Sequence, residues 1–321
     1  MFSQSDDEGC SSSRPIFILG ITARSGTNYL AYLLRMHPHC AGTYPEFEDY
    51  FITQAHRLFE FAQVVKNHWS WGLGDLERDE LLRCLGNGLL GFLKQHLKAD
   101  RVVTKTPSVK GLPLFFQLFP DARLIVLVRD GRAVAESMLK TFNVPYEACI
   151  RKWAEAAESI LDYDQMRKHS ETRYMLVRYE DLLDDLRGQM SRILRFAGLP
   201  EGLYDFDAAA RAPVIGSSSM RDEAGRIFWK PQSKPRGFDP LKRSAHWSNR
   251  QHARFNWIAK KQSEALGYPC QRSDGSPLLW WIYNVLFDAK ETIGKIWRKF
   301  RTRKVRIERR RQLYPERKVP L

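Results

Sequence analysis

Apolar residues in this chain come in short blocks separated by stretches of helical spacing. Pro15-Ile16-Phe17-Ile18-Leu19-Gly20-Ile21 is apolar on both faces, which predicts a short, fully buried strand of a parallel sheet. A small polar loop, Thr22-Ala23-Arg24-Ser25-Gly26-Thr27-Asn28, follows, and Tyr29 to Met36 then reads as a helix ending before His37-Pro38. Helical spacing returns over 54–66 and 79–97. Val102-Val103-Thr104 predicts a second strand, Arg123 to Val128 a third and Arg173 to Val177 a fourth. Further helices are predicted from Arg132 to Lys140, over 147–168 and over 181–197. This alternation predicts a three-layer α/β/α architecture with a mainly parallel central sheet. From about 200 to 245 the texture changes to Pro, Gly, Ser, Arg and Lys without periodicity. That is long for a plain connection and reads as a functional lid or covering segment. A helix over 248–266 closes the domain at Leu266-Gly267-Tyr268-Pro269, and no internal repeat is detected.

The 321 residues are 43% hydrophobic and 12% aromatic, enough for a sizeable core and incompatible with global disorder. The longest apolar run, Leu278 to Phe287, is interrupted by Tyr283 and Asn284 and is too short to span a bilayer as a helix. The start of the chain (Asp6, Asp7, Glu8, Ser11 to Ser13) is acidic and serine-rich, opposite to the basic start of a secretory signal. Five scattered cysteines (Cys10, Cys40, Cys84, Cys149, Cys270) show no metal spacing, and the expected compartment is reducing and cytoplasmic. The net charge of +14 suggests nucleic acid until it is located. From Lys290 onward there are 13 Lys and Arg against three Glu, so this tail carries +10 and the rest of the chain +4. The expected organisation is a disordered segment 1–13, a folded α/β domain 14–272 and a basic C-terminal amphipathic helix and tail 273–321.

A strand running through a small-residue loop into a helix makes a phosphate cradle, because free N–H groups and the helix dipole meet there. The ATP-binding loop G-x-x-x-x-G-K-[ST] is the general template. Gly20 and Gly26 here are separated by five residues rather than four, and Thr27 stands where the lysine is needed. Arg24 supplies a cation from inside the loop instead, which counts against an ATP kinase.

Arg24-Ser25-Gly26-Thr27-Asn28 behind a strand resembles the 5′-phosphosulfate loop of sulfotransferases that use 3′-phosphoadenylyl sulfate (PAPS). Arg129-Asp130-Gly131-Arg132-Ala133-Val134-Ala135-Glu136-Ser137, after the third strand, resembles that family's 3′-phosphate site. A guanidinium fork matches phosphate oxygens and a helical serine adds a donor. Lys105-Thr106-Pro107 resembles the family's Lys-x-Pro turn, and Arg178-Tyr179-Glu180-Asp181-Leu182 its adenine-contacting segment. His246-Trp247 ahead of a last helix resembles the C-terminal third of the bacterial and protein-tyrosine branches. The resemblance runs over residues 14–269 in the expected order and implies the P-loop-like sulfotransferase fold. Two departures stand out: Asn28 replaces the loop's usual second threonine, and Pro107 occupies the catalytic histidine position of the small-molecule branch.

The resemblance implies sulfuryl transfer from PAPS to an acceptor oxygen or nitrogen, with PAP leaving and no metal required. Arg24 and Lys105 are the implied cations against developing negative charge. The protein-tyrosine branch places a glutamate base shortly after the first helix. In Gly42-Thr43-Tyr44-Pro45-Glu46-Phe47-Glu48-Asp49 the spacing favours Glu46, offset by one residue, with Glu48 in reserve. The implied donor contacts are Arg24, Ser25, Gly26, Thr27, Asn28, Arg129, Ser137, Tyr179, Ser218 and His246.

Plainer readings stand beside these. Arg24 and Gly26 also suit a tight turn, Arg129 an ion pair with Asp130 or Glu136, Lys105 an exposed lysine and Glu46 a solvated loop acid. Tyr179 also suits the core, Ser217 to Ser219 a flexible loop and His246 the surface. Trp69, Trp71, Tyr44, Phe47, Tyr50 and Phe51 form either an acceptor platform or, as the favoured reading for most of them, core. In the tail, Ile282, Leu286, Ala289, Ile293, Ile296, Trp297 and Phe300 fall at helical spacing among Lys and Arg. That pattern reads as a membrane-surface helix ahead of a helix docked on the domain, with nucleic acid third. The expected partners are therefore an acceptor alcohol on a glycan, glycolipid or small molecule, and a membrane surface at its cytoplasmic face. An ATP-dependent kinase and a non-catalytic membrane or polyanion adaptor are the competing classes.

Overall fold

The computed structural model describes residues 14–42, 48–69, 74–97, 101–167, 172–218, 225, 231–272, 274, 276–290 and 292. Five strands form one sheet: β1 (Ile16–Gly20), β2 (Ala41–Gly42), β3 (Val102–Thr106), β4 (Arg123–Val128) and β5 (Tyr174–Arg178). Their order is β2-β3-β1-β4-β5 and every adjacent pair is parallel. The helices are α1 (Thr27–Arg35), α2 (Ala55–His68), α3 (Asp75–Leu97), α4 (Phe115–Leu118), α5 (Gly131–Phe142), α6 (Tyr146–Arg167), α7 (Tyr179–Asp184), α8 (Leu186–Ala197), α9 (Phe206–Ala210) and α10 (Asn249–Ala265). A further helix, α11, covers 277–290.

Every residue of β1 is buried, as a strand covered on both faces requires. Side chains alternate across the sheet. Ile16 and Ile18 join the cluster of Leu30, Leu33 and Leu34 from α1 and Ile193 and Leu194 from α8. Phe17 stacks on Phe119 at 4.7 Å and meets Phe115 edge-on at 5.1 Å. Helices on both faces give the expected three layers. At Gly86 of α3 a Cβ would strike the Leu118 carbonyl, so glycine permits the close approach of α3 to α4.

The stretch 181–197, read as one helix, is two. Asp185 leaves helical geometry (φ −127°, ψ 74°) and accepts a hydrogen bond from Gly188 N at 2.9 Å, so a strong N-cap starts α8 where periodicity alone runs on. The two-residue β2 carries no periodic signal. The region 200–245 holds the short helix α9, a bridge between Val214 and Gln232, and a 3₁₀ turn at Lys242–Ser244.

The chain divides into two units, residues 1–246 with 258–270, and residues 247–257 with 271–321. No helix among the described residues is long and apolar enough to cross a membrane.

Candidate functional site

In the first unit, the carboxyl ends of β1, β3, β4 and β5 contribute to one cavity of about 620 Å³. The chain passes from β1 to one side of the sheet and returns to the other. In open α/β sheets such a switch point leaves a crevice beyond the strand ends.

On the β1 side, Ser25 is buried and closes the loop on itself: Thr22 N donates to its Oγ at 3.1 Å and its hydroxyl donates to the Thr22 carbonyl. Arg24 and Gly26 both take left-handed backbone angles, φ 73° and 98°. Gly26 is required there twice over, because a Cβ would also enter the Tyr179 ring. Arg24 accepts a backbone cost of about 1–2 kcal/mol. It is anchored by Nε donating to Ser137 Oγ at 3.1 Å and by a guanidinium bond to the Gly216 carbonyl. Thr27 and Asn28 open α1 and line the cavity. The Asn28 Oδ1 is buried without a hydrogen-bond partner among the described residues.

On the β4 side, the Trp153 indole donates to the Arg129 carbonyl at 3.0 Å and fixes the strand end. The Arg129 guanidinium donates to the Arg24 carbonyl at 3.1 Å and the Pro240 carbonyl at 2.6 Å, and lies 4.4 Å from the centre of the Tyr179 ring. Asp130 instead pairs with Arg132 at 2.6 Å and caps α5. Glu136 pairs with Lys140 at 2.9 Å. Tyr179 is buried, as a core residue would be, and yet lines the cavity.

The region 200–245 supplies what periodicity did not signal. Arg243 donates to Ser217 Oγ at 2.8 Å and to Ser218 Oγ, while Ser137 donates to Ser218 Oγ at 3.3 Å. Arg243 and Ser217 line the cavity; Ser218 is buried behind them. Among the described residues, Arg129 and Arg243 bond to carbonyls, hydroxyls and a ring rather than to carboxylates, and each keeps a buried Nε without a partner. Burial, then repulsion by Arg243 and Arg129, pushes Arg24 down to about 10. Burial, then Arg129, pushes Arg243 down to about 10 as well. A wall of buried, mutually repelling guanidiniums has the chemistry to hold a polyanion.

Lys105 also lines the cavity. It is only 4% exposed, and its Nζ lies 3.0 Å from Glu48 Oε1. Burial lowers its pKa, and the Glu48 charge opposes that fall. Glu48 also accepts from the Tyr50 hydroxyl. Neighbouring Asp49 takes hydrogen bonds from Thr106 Oγ1 at 2.8 Å, from Phe51 N at 3.0 Å and from Thr104. These bonds tie residues 48–51 to β3 and set Glu48 against Lys105. Burial raises the Asp49 pKa against those bonds.

Of the sequence-predicted residues, Arg24, Gly26, Thr27, Asn28, Lys105, Arg129, Ser137 and Tyr179 meet at the cavity. Ser25 and Ser218 support it from behind. His246 has an exposed side chain 3.3 Å from Glu136 and is not among the lining residues. Glu46 lies outside the described residues, as do Tyr44, Phe47 and Trp71; Glu48 is the carboxylate that reaches Lys105. Tyr50 and Trp69, assigned to core by the favoured reading, are 48% and 54% exposed. Tyr50 is at the cavity mouth, where core packing does not reach it. Among the described residues, no group of three or more His, Cys, Asp and Glu is close enough to hold a metal ion.

The sulfotransferase family model matches residues 15–203. The protein-tyrosine sulfotransferase of Drosophila melanogaster is 27% identical over 203 residues, covering 58% of this chain and 38% of its own length. The nodulation protein NoeE of Sinorhizobium fredii is 29% identical over 136 residues, 40% of this chain and 32% of its own. The chain thus spans about half or less of the length of the curated relatives it matches. The sulfotransferase domain of the Synechococcus PCC 7002 olefin synthase shares the fold, with a TM-score of 0.53 and 23% identity over 84% of this chain and 100% of that one. With the model match covering more than half of its residues, the chain belongs to the sulfotransferase family.

Proposed function

We propose that this chain transfers a sulfuryl group from PAPS to an acceptor hydroxyl, leaving PAP. The observation that carries the reading is the wall of Arg24, Arg129 and Arg243 with Ser137 and Ser217, facing a cavity that also holds the Lys105–Glu48 pair. The residues fit a nucleotide with two phosphate positions. The left-handed loop around Gly26 and the first turn of α1 suit the 5′ end, and the buried, unpartnered Nε atoms of Arg129 and Arg243 suit a 3′-phosphate. Tyr179, braced under Arg129, suits the base-contacting role. When bound, PAPS supplies the activated sulfuryl group.

The chain's own groups do the rest. Arg24 and Lys105 place positive charge where negative charge develops, so the proposal asks for no metal ion. Glu48 accepts the acceptor proton: it lines the cavity, touches Lys105, and is held in place through Asp49 and β3. Glu46 keeps the same role as the competing assignment. The acceptor we propose is an alcohol of a membrane-associated molecule such as a glycolipid or glycan, a reading motivated by the apolar and basic C-terminal segment.

Calorimetric titration with PAP beside ADP plus magnesium tests the donor, because neither needs an acceptor. PAP binding that weakens about 10- to 100-fold in Arg129→Ala is expected from loss of charge-assisted bonds. Binding of Mg-ADP alone overturns the reading in favour of a kinase. Binding of neither favours the adaptor.

A further inference from the structure

In the second unit, α11 leaves aliphatic side chains outward while an amide on its inner face is buried. In α11, Asn284 is 2% exposed, whereas Leu278, Leu279, Trp281 and Leu286 are each more than half exposed. Ile282 and Val285, at 40% and 37%, complete the same surface. Positions 278, 281, 282, 285 and 286 are spaced i, i+3, i+4, i+7, i+8, so they make one continuous stripe.

The polar side of the helix is held inward by residues 249–257 of α10. Arg254, 3% exposed, donates to Asn284 Oδ1 at 3.1 Å, pairs with Asp288, and lies 4.6 Å from the centre of the Phe287 ring. The Trp257 indole donates to Asp288 Oδ2 at 2.8 Å. The Trp280 indole donates to the Asp274 carbonyl at 2.9 Å. This polar register fixes which face of α11 points out, and the face left outward is aliphatic and aromatic.

The residues that follow name the occupant. From Lys290 onward the sequence carries 13 Lys and Arg against three Glu. An aliphatic stripe with a tryptophan, adjoining dense positive charge, matches the interface of a bilayer with anionic headgroups. A second copy of the chain suits it less well, since each copy carries a net +10 in the sequence directly after this face. The described stretch of α11, 277–290, is about 21 Å long at 1.5 Å per residue, long enough to lie in the plane of a bilayer surface.

We propose that the outward stripe of α11 docks this protein on an anionic membrane surface, with α11 lying in the interfacial plane; the charge of the sequence that follows favours anionic lipid. The proposal deepens the membrane-associated acceptor suggested above, but its test needs neither donor nor turnover. The full chain is sedimented with vesicles of phosphatidylcholine alone and with phosphatidylserine added, at low and high salt. Binding is expected with phosphatidylserine at low salt. It should weaken at least about tenfold in Trp281→Ser/Leu286→Ser, with the melting temperature by circular dichroism unchanged, because both side chains are exposed. A chain that stays in the supernatant with both vesicles overturns the proposal, as does binding indifferent to phosphatidylserine and salt. Self-association that sedimentation equilibrium detects, and that the same double variant abolishes, assigns the face to a second copy instead.

Discussion

The cavity wall and α11 break the same rule in opposite directions. The first buries positive charge that carboxylates usually neutralise; the second exposes aliphatic side chains and buries an amide and part of a carboxylate. Both arrangements are unfavourable in water alone and become favourable with a partner of the right chemistry. They differ in how the unfavourable term is stored. In the wall it is electrostatic and concentrated on three guanidiniums, so one substitution changes it. On α11 it is spread over a stripe, so single changes act weakly and the register held by Arg254 matters more.

The largest effect expected near the wall is on turnover. Glu48→Gln should lower kcat by about 10²- to 10⁴-fold, the range for loss of a general base, with PAP affinity retained. Glu46→Gln, measured in parallel, decides between the two carboxylates: full activity there with loss at Glu48 sustains the assignment, and the reverse pattern transfers it. Arg243→Ala sharpens the electrostatic side of the comparison. PAP should bind about 10- to 100-fold more weakly. The melting temperature of the ligand-free protein should hold or rise, since one of three repelling charges is gone. A large fall would show that the bonds to Ser217 and Ser218 are structural first.

The matching change in the second unit is Arg254→Ala, which leaves buried Asn284 without its guanidinium donor. A loss of about 1–3 kcal/mol by chemical denaturation is expected. The smallest effect is a pH shift. Burial favours the neutral amine of Lys105 and Glu48 favours the ammonium, so the alkaline limb of kcat/KM should fall below the ordinary lysine range. Glu48→Gln should move the limb of the residual activity to lower pH still. In the window between the lowered folded value and the ordinary one, the unfolded chain holds this proton more tightly. Lys105's contribution to stability therefore grows with pH across that window.

What was legible in the sequence follows from locality. The β1 loop, the Arg129–Ser137 segment and Tyr179 each sit directly after a strand of apolar residues, so strand recognition places them at one edge of the sheet. Arg243 and Ser217 belong to a region without periodicity. They reach the wall through the Val214–Gln232 bridge and the Lys242–Ser244 turn, which are set by tertiary contacts. Glu48 was legible only as a reserve, because its place depends on Asp49 bonding to Thr104 and Thr106, more than fifty residues away. The helical spacing of Ile282, Leu286 and Ala289 was plain. Which face turned outward was not, since the answer lies in partners of Arg254 on another helix; Ile293, Ile296, Trp297 and Phe300 fall outside the described residues.

Tyr179 meets both the loop glycine and the Arg129 guanidinium. Positions 26, 129 and 179, from three separate elements, therefore form one heritable unit. A Cβ at 26 would meet the Tyr179 ring and is disfavoured by the left-handed backbone as well, whereas a smaller residue at 179 removes the platform beneath Arg129. Among descendants of this sequence, Gly26 should persist, and drift at 179 should be accompanied by change at 129.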